Sequence, residues 1–188
     1  MKKLFAITSL ALLTSTAFAA EAGKTDTGLD YNELSASYVS MEVDSVTFAG
    51  YGVTATYLLT ENFFIGGDYR SVSKSSTTID RTTGLVGYRM PLGTTLDGYA
   101  TVGYMYGKVT DSEAEHMYPL ALGIRASITP DIDVRASVNY TEATEAQTGF
   151  TAGIKYNINS NMFVNGGYFY AKDTKAYTSY SLGFGIKF

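Results

Sequence analysis

The 188-residue sequence has no cysteine, one histidine and only three prolines. Without cysteine there is no disulfide framework, so an exported chain of this size must draw its stability from elsewhere. A single histidine, His116, leaves no histidine cluster for metal-assisted chemistry. Beyond the N-terminus no continuous apolar run approaches the ~20 residues of a spanning helix, so a membrane could be entered only as strands. Nucleic-acid binding is disfavoured by a formal charge of -4 and by the lack of a basic stripe. Phosphate-cradling glycine loops are missing too, because the GYG and GFG triplets fall inside strand-like segments.

What is present points to pleated structure. There are 16 tyrosines, 10 phenylalanines and 19 glycines, and aromatic residues favour strands. The opening MKKLFAITSLALLTSTAFAA joins Lys2 and Lys3 to an apolar run from Leu4 to Leu13 and ends in Ala17-Phe18-Ala19. This is the pattern of a secretory signal peptide cleaved after Ala19, covering 1–19. Removing 19 residues from 188 leaves 169, a length that suits one domain.

The rest alternates with period two. About ten segments of roughly ten residues can be marked at 31–41, 47–59, 62–73, 78–90, 95–108, 117–128, 131–142, 147–157, 162–171 and 176–188. TEN, PLGT, TPD and NSN separate alternate pairs as tight turns. MEVDS, SKSST, TDSEAEH, TEATEA and KDTK separate the others and read as longer, more charged loops. Short turns on one side and longer loops on the other are expected of a closed antiparallel transmembrane β-barrel, with the short turns and both termini in the periplasm. The fold class is therefore an all-β, single closed up-and-down barrel of ten strands at 31–188, preceded by a short periplasmic segment at 20–30. Eight strands remain the alternative, if the first two segments form a periplasmic extension.

DIDVRASVNY, residues 131–140, shows how the two faces sort. Ile132, Val134, Ala136, Val138 and Tyr140 alternate with Asp133, Arg135, Ser137 and Asn139. In neighbouring segments the polar row holds Arg125, Lys155 and Lys187 among Gly123, Gly149, Gly153, Gly183 and Gly185. A row so rich in glycine and paired charges suits a crowded interior, so the charged row faces the lumen and the apolar row faces lipid. Tyr57, Phe63, Tyr69, Tyr88, Tyr106, Tyr118, Tyr140, Tyr156, Tyr168 and Phe188 suit aromatic girdles at the two boundaries.

The signal peptide, the glycine-aromatic strands GLVGYRMPL and LDGYATVGYMYG and the final SLGFGIKF together resemble small outer-membrane β-barrels of the opacity-protein and porin-like superfamily of Gram-negative bacteria. The resemblance covers the whole mature chain as a pattern. It implies residence in the outer membrane among lipids and lipopolysaccharide. It further implies that Tyr180, Leu182, Phe184, Ile186 and Phe188 form the signal read by the barrel-assembly machinery.

Strand parity gives the inward list Glu33, Asp68, Arg70, Arg81, Arg89, Asp97, Arg125, Asp133, Arg135, Lys155 and Lys187, seven basic groups against four acidic. Such charges must be paired or solvated. They form either a ladder filling a structural barrel or the lining of a narrow, mildly anion-preferring path for small solutes or ions. His116, beside Asp111, Ser112, Glu113 and Glu115, lies in a loop, where neighbours are not convergent groups in a pocket. No enzyme, no catalytic or metal residue and no cofactor is expected, and a lipid A-modifying activity is the weakest reading. The main expectation is a monomeric structural or surface barrel, with a narrow pore as its open form; the alternative is surface contact, by adhesion or lipopolysaccharide binding through the acidic loops.

Overall fold

The computed structural model describes residues 27–143, 146–172 and 176–188. The expected signal peptide and most of the 20–30 segment lie outside these residues. Ten strands follow one another: β1 Glu33–Val43, β2 Val46–Leu58, β3 Phe63–Lys74, β4 Thr77–Pro91, β5 Leu96–Val109, β6 Glu115–Thr129, β7 Ile132–Glu142, β8 Gln147–Asn157, β9 Met162–Lys172 and β10 Ala176–Lys187. Each pairs antiparallel with its sequence neighbour, and β1 pairs with β10 from Glu33↔Lys187 to Val43↔Tyr177, which closes the barrel. Closure pairs every strand edge, a condition for spanning hydrocarbon.

The connections differ from expectation. The supposedly longer set includes connections as short as any: Asp44 and Ser45 alone join β1 to β2, and Ser75 and Ser76 alone join β3 to β4, like Pro130 and Asp131 between β6 and β7. Asp44 (φ 50°), Ser45 (φ 65°) and Ser75 (φ 53°) are left-handed, a conformation that Asp and Ser tolerate in tight hairpins whose twist matches the strands. Here the strands run on through residues read as loop, because MEV and VSK keep the period of two. The loop asymmetry between the two ends is accordingly absent from these hairpins.

The two faces of the wall contrast sharply. Leu122, Val138 and Leu182 are 63%, 63% and 69% exposed, whereas Arg125 is 2% exposed and Asp97 0%. The aliphatic row thus points outward and the charged row inward. Tyr57, Phe63, Tyr88, Tyr118, Tyr156 and Phe188 also stand exposed on the outer face. One β-bulge, between Ser127 and Thr129, precedes the β6–β7 turn.

Candidate functional site: the lumen

Three layers fill the interior. At the end of the barrel that carries the termini, residues Thr27 to Asn32 fold into the mouth before β1 begins. Residue 31 was expected to open the first strand. It makes an isolated β-bridge just ahead of β1, and Leu29 and Tyr31 are buried against Phe64, Leu85 and Ala121. The Tyr31 phenol donates to Asp97 Oδ2 at 2.9 Å. Its ring lies under two guanidinium groups, those of Arg125 (4.8 Å) and Arg89 (5.4 Å), in cation–π geometry. Asp30 holds Lys187 at 2.7 Å and its carbonyl accepts from Arg125. Asn32 accepts from the Leu58 backbone at 2.8 Å.

Behind this plug lies the charged layer. Arg89 holds Asp97 through one hydrogen bond, from Nη2 to Oδ1 at 3.1 Å, and an ion-pair contact of Nε with Oδ2 at 3.0 Å. Lys155 bridges Glu33 (2.9 Å) and Asp133 (2.6 Å), and Arg125 adds a contact to Asp133 at 3.2 Å. Asp68 faces Arg81 at 3.7 Å and Arg70 at 3.9 Å. All eleven residues of the inward list therefore lie in the interior row; nine are buried, with Arg135 and Lys187 half-buried. Burial of so many charges is tolerable only because they meet one another.

The far layer was not anticipated. Towards the β1–β2 and β3–β4 hairpins the interior row turns apolar: Val39, Met41, Phe48, Val72, Phe169 and Tyr177 pack together with 1–4% exposure. Around the same ring Met117, Thr141 and Gln147 are equally covered. The sequence signal was available in β1, where Val39, Met41 and Val43 alternate with Ser40 and Glu42, but parity there puts the aliphatic residues inside. The burial of Tyr31 and Leu29 in the mouth was also missed, since LDY merely continues the alternation of β1.

Glycines make room for particular side chains. A methyl group at Gly87 would collide with the Phe64 ring, at Gly185 with Phe163, and at Gly153 with the Arg135 guanidinium. Only the last matches the expectation that glycine accommodates arginine.

His116 stands on the outer face near the rim. Its Nδ1 is hydrogen-bonded to the Tyr104 hydroxyl, and its ring contacts Tyr106 edge-on. Glu115, which precedes it, belongs to the opposite face of β6. Among the described residues no group of three or more histidine or acidic side chains could hold a metal ion.

Comparison with known proteins agrees with this architecture. The family model described as outer membrane protein beta-barrel domain matches residues 5–188. A search of curated proteins gives no match. Among solved structures, the β domain of the Bordetella autotransporter BrkA is similar at a TM-score of 0.56, with 11% identity over 84% of this chain and 99% of that one. An outer membrane channel from Pseudomonas putida F1 also gives 0.56, with 10% identity over 84% and 95%. The KdgM porin gives 0.51, with 14% identity over 82% and 99%. At these identities the likeness concerns the fold alone.

Proposed function

The chain belongs to the outer membrane protein β-barrel family, and from that membership we propose that it serves the outer membrane as a filled, structural or surface barrel that does not conduct at rest. One observation carries the reading. The interior row is buried along its length, from Leu29 and Tyr31 through Arg89 and Asp97 to Met41 and Phe169, each at 0–1% exposure. A water-filled channel would leave its lining wet, as it does in wide barrels. Short hairpins such as Asp44-Ser45 offer little surface for an adhesive contact. We place the termini, with the plug, on the periplasmic side, after export by the N-terminal signal. The outward row Tyr180, Leu182, Phe184, Ile186 and Phe188 is assigned to recognition by the assembly machinery during insertion, and the surrounding lipids and lipopolysaccharide are the standing partners.

The second reading, a narrow anion-preferring path, is favoured by the predominance of Arg and Lys over acidic groups in the lumen list. Planar-bilayer recording separates the two. The filled barrel gives no steps above background. Steady conductance that falls in Arg70→Ala or Arg125→Ala would overturn it in favour of the path.

A further inference from the structure

We propose that the outer face of the β5–β6 seam binds one phosphorylated lipid A molecule of the outer leaflet, with an acyl chain in a groove of the wall and a phosphate at Lys108 and His116. The site deepens the surface reading above and rests on its outer-membrane placement, with the termini in the periplasm. A groove of about 790 Å³ crosses the outward wall, lined chiefly by Val86, Tyr88, Ala100, Leu122, Val138 and Tyr140. Its cause is a mismatch of side-chain size. Ala100 pairs with Tyr88 on one side and Leu122 on the other, so a methyl group lies between a ring and an isobutyl group.

Towards the rim the same seam turns polar by steps. Val102 pairs with Leu120, the Tyr104 and Tyr118 rings meet edge-on at 5.9 Å, Tyr106 pairs with His116, and Lys108 stands exposed two residues further on. The Tyr104 hydroxyl is bonded to Nδ1 of His116. With the phenol as donor, the ring hydrogen is on Nε2, which can donate to a phosphate oxygen. Lys108 supplies the formal charge for a charge-assisted bond. Two acids flank the seam, Asp80 opposite Lys108 and Glu142 opposite Tyr118. Asp80 accepts from the Tyr69 hydroxyl at 3.1 Å. Both repel a phosphate from the neighbouring strands and confine it to the seam.

Hydrocarbon gains no hydrophobic free energy by passing from the bilayer into an apolar groove, so the chain supplies fit and the phosphate supplies affinity. The tyrosine tier selects the headgroup. From Val102 to Tyr106 is about 13 Å of strand. A phosphorylated sugar spans that gap, whereas a glycerol phosphate is joined directly to its acyl esters and does not. Tyrosine rings with polar edges suit such a sugar layer.

The test uses the full chain folded in detergent and native mass spectrometry with three probes added singly: bisphosphorylated lipid A, the same lipid A stripped of phosphate, and phosphatidylglycerol. One copy of the bisphosphorylated form should be retained about tenfold or more tightly than either of the others, the usual weight of hydrogen bonds to a charged group. Lys108→Gln and His116→Phe change only exposed side chains, and each should weaken that retention. Ala100→Phe, which fills the floor of the groove and leaves every charge in place, should weaken it as well. Equal retention of the stripped lipid or of phosphatidylglycerol, or unchanged retention in the Lys108→Gln/His116→Phe double variant, would overturn the site. Insertion of the native chain into bilayer vesicles, read by protease protection, keeps the two readings apart. A barrel that inserts but retains no lipid A overturns the site alone, and one that does not insert overturns the placement with it.

Discussion

Tyr31 donates a hydrogen bond to Asp97, 66 residues further along the chain, at 2.9 Å inside the mouth of the barrel. The contact ties the segment before β1 to the base of β5, and burial raises the phenol's pKa above its ordinary value, so it is held as a donor. Two variants separate its parts. Tyr31→Phe keeps the ring between Arg89 and Arg125 and removes only the hydroxyl, and should cost about 1 kcal/mol in urea unfolding because Asp97 retains Arg89. Tyr31→Ala also empties the mouth and should cost about 3–5 kcal/mol.

Because the chain lacks cysteine, the plug can also be read by labelling. Thr101 is on the interior row, 6% exposed. In a Thr101→Cys barrel a small maleimide should react slowly, and deletion of 27–32 should accelerate it at least tenfold, an opening worth about 1.4 kcal/mol or more. Equal rates with and without the segment would show that it does not close the mouth.

The strand count and most boundaries were legible from the period of two, which is strict wherever one face meets lipid and the other meets charge; β8 was placed at Gln147–Asn157 from alternation alone. Legibility failed where chemistry stopped reporting direction. Val39 and Met41 point into the lumen although they are as apolar as the outward Leu122, because a filled lumen can end in an apolar layer as readily as a polar one. The eleven charged lumen residues were readable because few polar environments exist in a membrane-spanning wall. Their pairing was not: Lys155 reaches Glu33 across 122 residues, a consequence of closure between β1 and β10 that no local pattern encodes.

Lys155 holds two carboxylates, so its loss should cost more than the loss of either partner. Lys155→Met leaves Glu33 and Asp133 buried together with one cation fewer and should destabilise by about 3–5 kcal/mol. Adding Glu33→Gln should restore part of that loss, since it withdraws one of the stranded charges. A double-mutant cycle with no coupling between the two positions would show that the bridge has no energetic weight.

Gly185 faces the ring of Phe163 one strand away, and the two are directly paired in the β10–β9 register. A methyl group at 185 cannot coexist with the ring where it stands, and Phe163 is fully buried beneath the charged layer, its ring 5.5 Å from Lys155 Nζ. Gly185→Ala should therefore cost about 1–3 kcal/mol, the usual penalty of overfilling a packed interior. Trimming the ring in Gly185→Ala/Phe163→Leu should recover much of the loss, although Phe163→Leu alone destabilises. Recovery is the informative outcome, because a glycine needed only for its backbone would leave the double variant at least as unstable as the sum of the single ones, while a glycine kept for the ring makes them strongly non-additive.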